Sequence, residues 1–161
     1  MSILCPGWDH ILAMVAVGLR GAQLGAPAIW ALPVAFPMAM AFGGMLGLMG
    51  VPLPGVEIGI AISALALGAV VLAECRPPLW VAAVIIGFFA LFHGHAHGTE
   101  LPPGSSGLLY SIGFVIATGT LHGCGITIGL IHRWHGGRML IRTAGAVVAG
   151  GGMFFLWRIF T

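Results

Sequence analysis

The chain has 161 residues and a formal net charge of +2; 59% of its residues are hydrophobic and 6% are charged. A soluble domain carries about a quarter charged residues, so this composition excludes one. It implies an all-α integral membrane protein, a single transmembrane domain over residues 1–161. Lysine is absent, which excludes the Gly-Lys-Ser/Thr step of a phosphate-binding loop and an ATP-driven pump within the chain. No nucleic-acid partner is expected. Cys5, Cys75 and Cys124 are isolated and odd in number, so no disulfide framework is indicated. No basic segment with a cleavage site precedes the first apolar stretch, so no removable signal peptide is expected.

Hydropathy predicts a bundle of six membrane helices, near 2–24, 28–49, 56–73, 79–100, 107–131 and 139–160. The first carries Asp9-His10 roughly 12 Å from its start. The second contains Pro33 and Pro37, which should kink it. Its Met38, Met40, Met45 and Met49 read as apolar packing rather than as a copper(I) site. The third opens at Glu57. The fourth ends in Phe92-His93-Gly94-His95-Ala96-His97-Gly98-Thr99-Glu100.

The fifth span holds His122 and Cys124 near mid-membrane, and His122 is open to two readings. It is either an inner relay ligand or a histidine hydrogen-bonded to a neighbouring carbonyl. Connections are marked by Gly25-Ala26-Pro27, Pro52-Leu53-Pro54-Gly55, Arg76-Pro77-Pro78, Pro102-Pro103-Gly104 and His135-Gly136-Gly137. The pairs Gly43/Gly47, Gly94/Gly98, Gly119/Gly123 and Gly125/Gly129 have the spacing of close helix packing.

Arg20, Arg76, Arg133, Arg138 and Arg142 lie at or near the first, third and fifth connections, whereas Glu57 and Glu100 flank the second and fourth. By the positive-inside rule the odd connections are cytoplasmic and both termini face outward, to the periplasm. Trp30, Trp80 and Trp134 then fall at the inner boundary, and Trp8, Tyr110 and Trp157 towards the outer one. Arg158 is the single exception.

Ionisable residues inside a membrane are costly and mark function. At about 100° per residue, His97 lies about 40° from His93 and Glu100 about 20° to its other side. These three share a face, and His95 projects about 200° from His93. Two imidazoles and a carboxylate on one stripe make half a site for a borderline divalent metal. Asp9 and His10 reach a similar depth from the same side and supply the other half.

Asp9-His10 with the apolar residues that follow, and the motif at 92–100, resemble the HupE/UreJ family. These are small bacterial nickel permeases associated with hydrogenase and urease production. The family pattern pairs His-x5-Asp-His with Phe-His-Gly-x-Ala/Val-His-Gly-x-Glu. The second part is complete here, with His95 at a variable position. In the first part Asp9 and His10 match, and Ile3 stands where the leading histidine would be.

The resemblance implies a non-enzymatic, multi-pass permease of the bacterial cytoplasmic membrane that takes up nickel. It needs no cofactor beyond the transported ion, and its partners are the lipid bilayer and cytoplasmic nickel chaperones of hydrogenase or urease maturation. The residues alone define only a borderline divalent cation, so cobalt and zinc stay open. The expected metal ligands are Asp9, His10, His93, His97 and Glu100. The alternative is an intramembrane metal-dependent hydrolase using the same cluster with an open water position.

Overall fold

The computed structural model describes residues 7–101, 104 and 106–161. The start of the first expected span, with Ile3 and Cys5, lies outside the described residues, as do Pro102, Pro103 and Ser105. The described residues form six α-helices: α1 (Trp8–Leu24), α2 (Ala28–Leu48), α3 (Val56–Ala73), α4 (Leu79–Thr99), α5 (Gly107–Gly129) and α6 (His135–Ile159). Among the described residues there is no β-strand. Helices α2 to α6 are long and apolar enough to cross a membrane.

Each break follows from its residues. Gly25 takes a positive φ of 75° after α1, and Gly55 one of 72° before α3, conformations glycine adopts without steric cost. Pro78 precedes α4, where its missing N–H costs nothing. Pro33 and Pro37 lie within α2, which runs on through both. Neither has an N–H to donate, so the carbonyls four residues earlier, Ile29 and Pro33, lose their helical partners.

One boundary differs from expectation. His135-Gly136-Gly137 is the first turn of α6, not a connection. The chain reverses earlier, through a 3₁₀ turn at Leu130–Arg133. Gly137 then lies directly against the Ile131 backbone, a closeness that only glycine permits, so here it is a packing residue rather than a breaker.

The helices pack as α2 on α4, α3 on α6 and α1 on α5, with α1 also touching α2 and α3. Helix α1 is the centre: most of Ala13 to Gln23 is buried. Glycines set the close approaches. A Cβ on Gly94 would fall on the Met40 carbonyl and one on Gly98 on the Gly44 carbonyl; from the other side Gly43 meets Leu91 and Gly47 the His95 carbonyl. The glycines of the histidine motif thus seat α4 on α2. Gly125 meets the Val15 carbonyl. Among the described residues nothing lies within 4 Å of a Cβ on Gly119 or Gly123, so that pair makes no close helix packing there.

Polar ties close the end opposite the histidines. Arg20 is only 2% exposed; it donates to Gln23 Oε1 at 3.1 Å and to the Cys75 carbonyl. Gln23 in turn donates to the Val71 carbonyl at 2.9 Å. The boundary arginine expected at Arg20 is therefore a buried clamp between α1 and the end of α3. Arg138 Nε lies 2.8 Å from both Glu74 oxygens. That hydrogen bonding holds the Glu74 carboxyl below the ordinary carboxylate range.

Candidate metal-ion site

Three imidazoles from two helices meet near one end of the bundle. The His10 ring of α1 lies edge-on to His93 of α4 at 4.5 Å between centroids, and to His97 at 4.6 Å. The backbone of α4 packs chiefly on α2, so these side chains are what bridges α4 to α1. His93 is fully buried, and His97 is half-buried.

Their hydrogen bonds assign the ring protons. Asp9 Oδ1 accepts from His10 Nδ1 at 3.0 Å and from the His10 backbone N–H at 2.8 Å. A carboxylate only accepts, so His10 carries its proton on Nδ1 and keeps a lone pair on Nε2. That Nε2 is buried and, among the described residues, has no partner.

Ser63 of α3 does the same for His93. Its hydroxyl donates to the Ile60 carbonyl at 2.7 Å, so the Oγ that lies 2.8 Å from His93 Nε2 must accept there. His93 Nδ1 is left with a lone pair, again buried and unpartnered. Two buried, bare nitrogens on adjoining rings, each ring fixed in tautomer by a partner on its other nitrogen, match the arrangement of metal-binding histidines. His97 Nδ1 is 3.0 Å from the Tyr110 hydroxyl, and its ring lies on Phe114 at 4.5 Å, both on α5.

Other expected residues stand apart. Glu100 follows the last turn of α4, with its backbone N–H on the Ala96 carbonyl at 3.0 Å and its side chain exposed. Among the described residues no hydrogen bond or ion pair ties it to the histidines. The shared stripe thus brings His93 and His97 against His10 and leaves Glu100 exposed at the end of α4. Nor do three His, Cys, Asp or Glu side chains among the described residues already close on one point. The rings pack edge to face, and rotation about their side-chain bonds is needed to converge on one ion.

His95 points away, as its helical angle requires, and its Nε2 donates to the Val51 carbonyl at 2.8 Å. It ties α4 to the α2–α3 connection. His95→Ala should therefore lower thermal stability by about 1 kcal/mol and reduce metal uptake far less than His97→Ala, measured as accumulation normalised to protein level.

Ser63 is the residue that sequence reasoning missed. After Glu57 it is the only polar side chain in α3, and that isolation was the available signal. Partners of this kind typically change metal affinity by about 10–100-fold when removed. Ser63→Ala should weaken binding within that range while the protein stays folded, as read by equilibrium dialysis with nickel.

One lesser expectation is settled by placement. Met40 is buried while Met38, Met45 and Met49 are exposed, so the methionines do not form one site. Ser106 caps α5 by accepting from the Leu109 N–H at 3.4 Å.

An apolar helical bundle with an imidazole cluster between its helices defines the class: a multi-pass helical membrane protein. The chain matches the family described as HupE / UreJ protein over residues 5–155. It is 46% identical to Protein HupE of Rhizobium leguminosarum bv. viciae over 150 residues, 93% of this chain and 78% of that relative. No solved structure is significantly similar. The chain belongs to the HupE/UreJ family.

Proposed function

We propose that the chain is a secondary permease, independent of ATP, that takes up a divalent transition-metal ion across the bacterial cytoplasmic membrane. Nickel is the proposed substrate, on the strength of family membership. In this reading residues 1–161 form one six-span bundle with both termini on the periplasmic side. The arginines at the odd connections support that orientation. The exposed Trp30, Trp80 and Trp134, near the starts of α2, α4 and α6, agree with it as interfacial anchors.

The observation that carries the reading is the pair of buried, bare nitrogens, His10 Nε2 and His93 Nδ1, on adjoining rings. Imidazole suits nickel, zinc and copper among the divalent metals. Asp9 and, at the mouth, Glu100 attract the hydrated ion and offset its charge. His10, His93 and His97 replace its water. A transport site must bind tightly enough to strip water and weakly enough to let go, and imidazoles beside one carboxylate supply donors suited to that balance. Cytoplasmic nickel chaperones of hydrogenase or urease maturation are the proposed recipients.

The hydrolase alternative is not favoured. A cleft of about 190 Å³ lies between α2, α4 and α5, lined by His97 and Tyr110 among apolar residues, but His10 and His93 do not line it. A water activated between those two histidines would be cut off from a substrate lodged in the cleft.

Proteoliposomes holding the purified chain and a nickel indicator provide the test. Nickel entry without ATP, competed by cobalt or zinc, is the expected result; no entry of any of the three ions would overturn the proposal.

A further inference from the structure

Of the three clustered histidines, His97 alone lines the cleft between α2, α4 and α5. Leu48, Leu101 and Gly107 line that cleft at or beside the ends of those helices, and Tyr110 and Phe114 line it deeper in. An imidazole beside about 190 Å³ of open space has room to turn about its side-chain bonds, and fixing a side chain in one rotamer costs entropy. A ligand ring in that position needs a partner to aim it.

Tyr110 supplies one from α5: its hydroxyl lies 3.0 Å from His97 Nδ1. One turn further along the same helix face, Phe114 braces both rings. The Tyr110 ring stacks on it with 12° between the planes, and His97 lies edge-on to it at 4.5 Å between centroids. Phe114 is itself packed against the buried core, so the clamp is anchored. The backbone of α5 packs chiefly on α1, which leaves these side chains to carry its meeting with α4. By sequence Tyr110 is an aromatic of the outer boundary, and such residues keep their polar tip wet. Here the tip engages a half-buried histidine instead.

The other two rings show what such a contact does. Asp9 accepts from His10 and the Ser63 oxygen accepts from His93, and each leaves the opposite ring nitrogen bare. A tyrosine hydroxyl can donate or accept. When it accepts from His97 Nδ1–H, the lone pair falls on Nε2, which makes no hydrogen bond among the described residues.

We propose that Tyr110 is the positioning residue of His97: its hydroxyl accepts from Nδ1–H and holds the ring so that Nε2 is presented to the metal ion. The proposal rests on the reading above in which His97 is a ligand. Each of the three imidazoles is then set by a partner on a different helix, Asp9 on α1, Ser63 on α3 and Tyr110 on α5.

The test is a double-mutant cycle on the purified full chain, with nickel as the probe. Tyr110→Phe keeps the ring and its stacking on Phe114 and removes only the hydroxyl. Nickel should bind about 10-fold more weakly, within the range such partners command. In a His97→Ala background the same substitution should change affinity less than about twofold, because the ring it acts through is gone. In proteoliposomes the KM for nickel entry should rise with the lost affinity, while the rate at saturating nickel stays within about threefold of wild type.

Wild-type affinity in Tyr110→Phe would overturn the proposal. Tighter binding would overturn it as well, since the hydroxyl would then be donating to Nδ1 and holding the wrong tautomer. An equal loss in the His97→Ala background would make Tyr110 a structural residue and overturn it equally. An intact cycle without nickel entry by the wild-type chain would overturn the permease reading alone, whereas a wild-type chain that binds no nickel would overturn both.

Discussion

Nickel accumulation by cells producing His93→Ala should fall below a tenth of the wild-type level, with membrane insertion unchanged. His93 is the only imidazole of the three that is fully buried, and Ser63 already fixes its proton on Nε2. Its Nδ1 lone pair has no structural task to perform. Alanine removes that donor and leaves a void against Phe36 and His10, whose rings now contact it. Asp9→Asn should act differently. It keeps a side chain beside His10 but takes away the carboxylate that only accepts, so His10 no longer has one enforced tautomer. Accumulation equal to wild type in His93→Ala, at matched protein levels, would remove His93 from the path.

The second large effect is expected from a methyl group. In Gly94→Ala the added carbon would fall on the Met40 carbonyl of α2. That atom belongs to a helix backbone and cannot rotate aside. Overpacking typically costs about 1–3 kcal/mol, occasionally more, and here α4 must also move away from α2, carrying His93 and His97 with it. The expected outcome is a lower unfolding temperature in detergent together with weakened nickel binding. Gly123→Ala serves as the control, because nothing lies within 4 Å of the carbon it would add. Equal behaviour of the two variants would contradict the account of how the motif glycines seat α4.

Most of the fold was legible because runs of apolar residues broken by glycine and proline leave few choices. The helix ends at Leu24, Ala73 and Thr99 fall within about a residue of expectation. The start of α6 was misread because two adjacent glycines look like a breaker, whereas a glycine at 137 is required by contact with Ile131.

Neighbour relations were less legible. Membrane helices are apolar on nearly every side, so hydrophobic periodicity cannot say which face meets which helix. At the site, helical geometry placed His93 and His97 together and sent His95 to the other side. It also predicted Glu100 on that stripe; Glu100 caps the helix with its N–H on the Ala96 carbonyl, and its side chain is exposed. Ser63 and Phe36 could not be tied to the histidines from sequence. Their roles depend on how α3 and α2 lie against α4, and nothing local encodes that.

X-ray absorption at the nickel edge tests the central claim most directly, using the purified full chain loaded with one equivalent of nickel. The expected spectrum shows at least two imidazole nitrogens bound to the metal, and the imidazole contribution diminishes in both His10→Ala and His93→Ala. A shell of water and carboxylate oxygen alone, or an imidazole contribution unchanged in both variants, would contradict a site built between α1 and α4.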